Sequence, residues 1–388
     1  MESEAERVKD KSAPAGGPEE INVTERLLDE VERCEDIDDL RNVLKLHSEF
    51  YTNWKTYINR LVDCHGGYSI NKFAAKCGFS KNTVRSWCNQ GLMPRSRKEY
   101  IKLGMGLGMA EDEINRLLQR YAKYPRLYAK SIDDVIYLFA IHNRKDFAYT
   151  EKLREALLDK FEKIEFTRES VRRDITYSTS KAYQDLLSIQ FEDELVAFID
   201  SNLNMFATVY NDLIKFIDNY IMLNTFDYVK YAGDDSLHFF LKTKTKNTRL
   251  VSLFDNMVTL LRKHRVIPDK TKLIAFGLYL NMSLSDMNLM LRKAGMEPLC
   301  ARDKAESVVI FALNDIFLKN PDIELSNKQL LERFVSDDGL KAECRRFIHT
   351  CCDYDYQSEF TDEDVTEYVK NQLENIDLDD MKDLLDLL

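Results

Sequence analysis

The chain has 388 residues, 44% of them hydrophobic, and a formal net charge of −11. That length suits two or three ordinary domains. The longest apolar runs fall far short of the roughly 20 residues of a membrane-spanning helix, the first twenty residues lack the apolar core of a signal peptide, and glycine and proline are scarce at 13 and 7. The expectation is an all-α cytoplasmic protein with no membrane partner.

In chain order, residues 1–20 read as a disordered tail. A short helix is expected over 21–35, with Asn22 and Glu25 placed as a capping box. A long amphipathic helix is expected over 37–63, because Leu40, Val43, Leu44, His47, Phe50, Trp54, Tyr57, Ile58 and Leu61 recur at spacings of three and four. His47 on that stripe reads as a satisfied core histidine. Gly66–Gly67 ends the helix.

Ser69 to Trp87, SINKFAAKCGFSKNTVRSW, reads as two short helices with a tight turn. Ser69 and Ser80 are N-caps. Gly78 ends the first helix in a left-handed conformation, and Phe79 plugs the turn. Phe73, Ala74, Cys77, Val84 and Trp87 form the apolar sides. Because Val84 and Trp87 face the body, Lys81, Asn82, Arg85 and Ser86 point away, polar and basic, as a helix entering a major groove requires. Between Tyr68 and Lys102 there are eight basic residues and one acidic, Glu99. Such a local basic face is the footprint of a duplex binder. Lys72, Lys76, Arg95 and Arg97 flank the second helix and are assigned to phosphate.

Helices continue through Arg97–Leu107, a stripe of Ile114, Leu117, Leu118 and Tyr121, a stop at Pro125, and Ile132–Ile141 opened by Ser131. The pattern then recurs about 170 residues later. Ile101 to Met109 matches Ile274 to Met282, Ile114-Asn115 matches Met287-Asn288, Leu118 matches Leu291 and Pro125 matches Pro298. After a one-residue slip, Val135 to Ile141 matches Ser307 to Leu313. Leu260 to Pro268 resembles the approach to Pro94 without the Ala74…Gly78 turn, so the second copy is expected to keep the packing helices and lose the reading head.

Between the copies, Phe191, Leu195, Phe198, Ile199, Leu203, Phe206, Tyr210, Leu213, Phe216, Ile217 and Tyr220 make an apolar stripe. It is read as core, or as a surface for a protein partner. Thr176–Ser180 beside Arg168, Arg172 and Arg173 is a hydroxyl-rich loop or a phosphorylatable switch. Lys242–Asn247 is an exposed loop. From Asp353 onward there are thirteen acidic residues and two lysines. Ile376, Met381, Leu384, Leu385 and Leu388 make one apolar helix face there, either docked on the body or part of a segment that competes with DNA.

No catalytic motif is present. Gly104, Gly106 and Gly108 lack a preceding strand and are not a nucleotide loop. Asp133 and Asp134 are explained by a helix start. The eight cysteines form no CxxC pair, and Cys344, His349, Cys351 and Cys352 match no usual zinc spacing. No cofactor and no metal are expected.

The spacing Ala74, Gly78, Val84, Trp87, continuing through Pro94 and the next helix, resembles the phage-repressor and Cro (Xre-type) helix-turn-helix. Leu291 to Gly295, Pro298-Leu299, Arg302 to Lys304 and Val308–Leu313 resemble the later signature of multi-helix Xre-type proteins of Gram-positive bacteria. The resemblance covers about 65–141 and 255–317. It implies a lambda-repressor-like domain whose recognition helix is Ser80–Trp87. The family's phosphate-touching glutamine is replaced by Ile70, with Asn71 beside it as the remaining phosphate contact. The expected domains are a helix-turn-helix domain (21–145), a helical middle (146–250), a degenerate second unit (251–320) and a C-terminal helical segment with an acidic tail (321–388). The implied function is sequence-specific binding of double-stranded DNA by a transcriptional regulator, as a homodimer reading two half-sites. The alternative is a non-enzymatic interaction protein whose helix-turn-helix is vestigial.

Overall fold

The computed structural model describes residues 18–48, 51, 53–161, 179–232, 236–319, 365–376 and 381–388. All regular structure among them is helical. The helices are α1 (Pro18–Glu32), α2 (Ile37–Leu46), α3 (Trp54–Gly66), α4 (Ile70–Cys77), α5 (Lys81–Gln90), α6 (Arg97–Leu107), α7 (Glu111–Arg120), α8 (Ile132–His142), α9 (Phe147–Phe161), α10 (Thr179–Leu187), α11 (Glu192–Ser201), α12 (Leu203–Thr208), α13 (Asn211–Ala232), α14 (Ser236–Lys244), α15 (Thr248–His264), α16 (Lys270–Tyr279), α17 (Leu284–Lys293), α18 (Lys304–Lys319), α19 (Val365–Ile376) and α20 (Lys382–Leu385). Most of the expected N-terminal tail, residues 176–178 of the hydroxyl cluster with its arginines, and Cys344, His349, Cys351 and Cys352 lie outside the described residues, while Thr179 and Ser180 open α10.

Two hydrophobic cores organise these helices. The first draws on α3 to α12, including Trp54, Phe73, Trp87, Tyr100, Phe139 and Phe206. The second draws on α1, α2 and α13 to α20, including Leu27, Leu40, Phe254, Phe276, Phe311 and Leu373. Several expectations are corrected by this division. The single helix over 37–63 is two helices, because Leu40 and Leu44 serve the second core while Trp54 and Ile58 serve the first. One straight helix has no way to reach both. Asn53 restarts the chain, its side chain accepting from the Thr56 amide at 3.1 Å. The body that holds α4 and α5 begins at α3, and α1 and α2, expected with it over 21–145, belong to the other core. α1 starts at Pro18, a residue suited to a first turn because it has no N–H to satisfy. Asn22 lies inside this helix rather than at its start. His47 is a satisfied core histidine, with Nε2 2.6 Å from Glu30.

The middle stripe is shared between the bodies. Leu195, Ile199 and Phe206 are buried in the first core, and Leu213, Ile217 and Tyr220 in the second. The chain turns between them at Tyr210, which has φ +62°. The C-terminal helices are docked on the second core through Val369, Leu373, Met381 and Leu384. Tyr279 donates its hydroxyl to the Leu388 carbonyl at 3.1 Å. Removing the chain after Asp353 would strip this core as well as the acidic charge.

The two bodies meet around Lys123. Its carbonyl accepts from the Lys270 amide at 2.7 Å, satisfying one of the first-turn donors of α16. Its ammonium pairs with Asp303 at 3.0 Å.

The bodies also use the same local bonds. In the first, Asn115 accepts from the Leu127 amide at 2.7 Å; in the second, Asn288 accepts from the Leu299 amide at 2.8 Å. Arg97 pairs with Asp134 and also donates to the Pro125 carbonyl. Lys270 pairs with Glu306 and donates to the Pro298 carbonyl. Asp134 accepts from the Tyr128 amide, and Glu306 from that of Cys300. A side chain on Gly104 would collide with Ile114, and one on Gly277 with Met287. Gly104 and Gly106 are thus places of close helix packing, the latter against the Cys77 backbone.

Candidate nucleic-acid interface

α4 and α5 are joined by three residues. Ser69 accepts from the Lys72 amide at 3.4 Å, and Ser80 accepts from that of Thr83 at 3.0 Å, capping both helices. Gly78 has φ +68°, and the amides of Gly78 and Phe79 fold back onto the Ala75 and Ala74 carbonyls. Phe79 meets Trp87 edge to face at 4.8 Å. Phe73, Ala74, Cys77, Val84, Trp87 and Cys88 are all buried, which fixes the rotation of α5. Burial pushes the Cys77 thiol up to about 11, although Lys76 and Lys102 oppose it.

The back of α5 is held by α3. Trp54 packs against Trp87 with ring centroids 6.1 Å apart and donates its indole N–H to the Leu92 carbonyl at 2.9 Å. Asn59 donates both to the Lys55 carbonyl of its own helix and to that of Cys88 at 3.0 Å. Asn59 escapes a sequence reading because a lone asparagine on a polar helix face carries no periodic signal. Its partner is a backbone carbonyl 29 residues away.

With α5 so oriented, Lys81, Asn82 and Arg85 are exposed together, and Ser86 is half-buried beside them. Ser86 donates its hydroxyl to the Asn82 carbonyl at 3.0 Å, which leaves the oxygen only as an acceptor. Asn71, Lys72, Lys76 and Arg95 are also exposed. Lys72, Lys76, Lys81, Arg85 and Arg95 have no carboxylate in ion-pair range among the described residues. Ile70 packs partly buried on the first core.

Arg97 is not placed with them. Its guanidinium grips the Asp134 carboxylate through two bonds, at 2.5 and 3.1 Å, and also reaches the Pro125 and Arg126 carbonyls. The phosphate role expected for Arg97 is corrected to a structural one, and Asp134 is a buried ion-pair partner rather than a residue explained by a helix dipole. Burial pushes the Asp134 carboxyl upward and Arg97 opposes it. Asp133 in turn takes Arg154 through two bonds of 3.1 Å. Two further cations of the basic count are engaged. Lys98 pairs with Glu151, and Lys102 sits 4.6 Å over the Phe79 ring.

No protein-family model, curated protein or solved structure matches this chain. No helix among the described residues is long and apolar enough to cross a membrane, and no group of three or more His, Cys, Asp or Glu there is arranged to hold a metal.

Proposed function

We propose that this protein binds double-stranded DNA in a sequence-dependent way, as a transcriptional regulator, through a lambda-repressor-like unit running from α3 to α7. The observation that carries the reading is a set of five exposed cations on α4, α5 and the following loop, with no ion-pair partner among the described residues, beside a helix whose opposite side is locked by Val84 and Trp87. Arg85 and Lys81 suit guanine, and Asn82 suits adenine. Lys72, Lys76 and Arg95, with Asn71, suit the flanking phosphates. One such helix covers a half-site, so a homodimer on two half-sites is the expected assembly. The helices of 251–320, α15 to α18, form a second, degenerate copy of the helices from α5 to α8, a reading supported by the matched Asn115/Asn288, Arg97/Lys270 and Asp134/Glu306 bonds.

The test is selection of bound duplexes from a random pool, followed by binding measurements across salt. A selected sequence is expected, with affinity falling steeply as ionic strength rises. Lys81→Ala/Arg85→Ala, still helical by circular dichroism, should lose the preference, each good base contact being worth roughly 1–3 kcal/mol. If that variant binds every duplex as the parent does, the reading head is vestigial. The second reading is a protein-interaction role. Leu187 and Phe191, exposed at 49% and 63% on the α10–α11 corner, favour it. A complex held there would be insensitive to salt.

A further inference from the structure

The second body also carries a short turn between two helices, Thr245–Asn247, between α14 and α15. Asn247 caps α15, accepting from the Arg249 amide at 3.1 Å. At its far end α15 finishes as α5 does. Arg265 takes a left-handed conformation at φ +56°, as Gly91 does at +71°. An exposed apolar residue follows in each, Val266 and Leu92, and then a proline two residues on. Aligned at these ends, Val258 and Leu261 are buried where Val84 and Trp87 are buried. The positions of Lys81, Asn82, Arg85 and Ser86 then fall at Asp255, Asn256, Thr259 and Leu260. No arginine or lysine stands there to read guanine, and Asp255 is held by His238 at 2.5 Å.

α15 is longer than α5, at 17 residues against 10. Arg249, Ser252, Asn256, Thr259 and Lys263 recur at spacings of three and four, form one stripe along it, and are all exposed. The stripe has a cation at each end and short neutral polar residues between. Arg249 and Lys263 are about 21 Å apart along the axis, wider than the roughly 12 Å opening of a major groove. Lys246 adds a third exposed cation on the turn. These three have no carboxylate in ion-pair range among the described residues. Other nearby cations are engaged: Arg262 with Asp218, Lys242 over Phe239 and Lys244 over Phe240.

We infer that the α15 stripe is a second duplex-DNA contact that grips phosphates on the two strands and reads no bases. The inference rests on the duplex-binding reading of the chain and extends it. α5 selects the sequence, and α15 adds affinity that is the same for every sequence.

The experiment uses the full chain and two labelled duplexes, one selected from the random pool and one scrambled, with binding followed by fluorescence anisotropy across salt. Arg249→Ala/Lys263→Ala is compared with Lys81→Ala/Arg85→Ala. All four side chains are exposed, so helicity by circular dichroism should stay at the parental level. The α15 variant should bind both duplexes more weakly by one common factor, roughly tenfold or more at low salt, with the salt slope reduced by about 2. Arg249→Lys/Lys263→Arg should restore both. Parental binding by the α15 variant, with preference still lost in the α5 variant, overturns the inference alone. Unequal loss on the two duplexes overturns it too, because α15 would then be reading bases. Uniform weakening by the α15 variant, with the α5 variant neutral, supports it and overturns the α5 reading. A parent that binds neither duplex overturns both.

Discussion

α5 and α15 end alike and present different faces. On α5, Lys81, Asn82 and Arg85 are crowded into its first five residues, directly after the turn. On α15 the free cations stand near its two ends, with serine, asparagine and threonine between. Behind both helices the scaffolds share several bonds, with Asn115 and Asn288 each taking a loop amide and a cation–carboxylate pair below whose carboxylate is buried. The comparison teaches that the packing layer and the surface layer of a helical body are separable. Buried polar groups must be satisfied whatever the outer face does, whereas exposed positions are under no such demand.

The largest effects should come from breaking the buried pairs. Arg97→Ala leaves Asp134, 3% exposed, without its counter-charge, and Lys270→Ala does the same to Glu306, 4% exposed. Each should cost about 3–5 kcal/mol in denaturant unfolding. Because the cores are separate, Arg97→Ala should lower the transition of the first body and Lys270→Ala that of the second. A single shared transition would show that the junction at Lys123 couples the bodies more tightly than their cores suggest.

The close-packed glycines sharpen the comparison at the next level. A Cβ on Gly104 would lie 2.5 Å from the branched Ile114 side chain, whereas one on Gly277 would lie 2.6 Å from the flexible end of Met287. Gly104→Ala should cost about 1–3 kcal/mol. Gly277→Ala should cost less, since Met287 can swing away and alanine favours the helix by up to about 1 kcal/mol. Equal losses would mean the second body is as rigid there as the first.

Caps come next. Ser80→Ala and Asn247→Ala should each cost about 1 kcal/mol, read as a shift in unfolding midpoint. Ser80→Ala alone should also reduce sequence preference, because it frays the turn that presents Lys81 and Asn82.

The smallest effect is at the junction. Burial would raise the Asp303 carboxyl, but Lys123, with the Glu306 amide and Lys270, holds the group below its ordinary 3.8. A depressed carboxylate contributes stability above its ordinary value and loses it as pH falls through the folded one. The Lys123–Asp303 contact should therefore weaken below about pH 3.8, by about 1 kcal/mol or less. Asp303→Asn should remove that part of the acid dependence, measurable as a flatter midpoint-versus-pH curve.

Much of the candidate interface was legible because its signals are local. Ser69, Gly78 and Ser80 act on backbone groups within three or four residues, and the burial of Val84 and Trp87 follows from helical spacing. Arg97 was misassigned for the opposite reason. It stands in a basic run, and its partner Asp134 is 37 residues away. Nothing in the run distinguishes it from Arg95, whose side chain has no ion-pair partner among the described residues. The long helix over 37–63 failed in the same way, since a stripe at spacings of three and four is the same whether it packs on one core or two.

The sequence by itself determined the all-helical character, the capped turn between α4 and α5, the rotation of α5, and the matched residues of the two bodies. These follow from residue spacing and from short-range bonds. The tertiary structure alone decided that α1 and α2 join the far body and that the middle stripe divides at Tyr210. It also decided which cations are used up by Asp134, Glu151 and the Phe79 ring. Each of these depends on groups distant in the chain meeting in a low-dielectric interior or on a shared surface, and sequence spacing carries no record of such meetings.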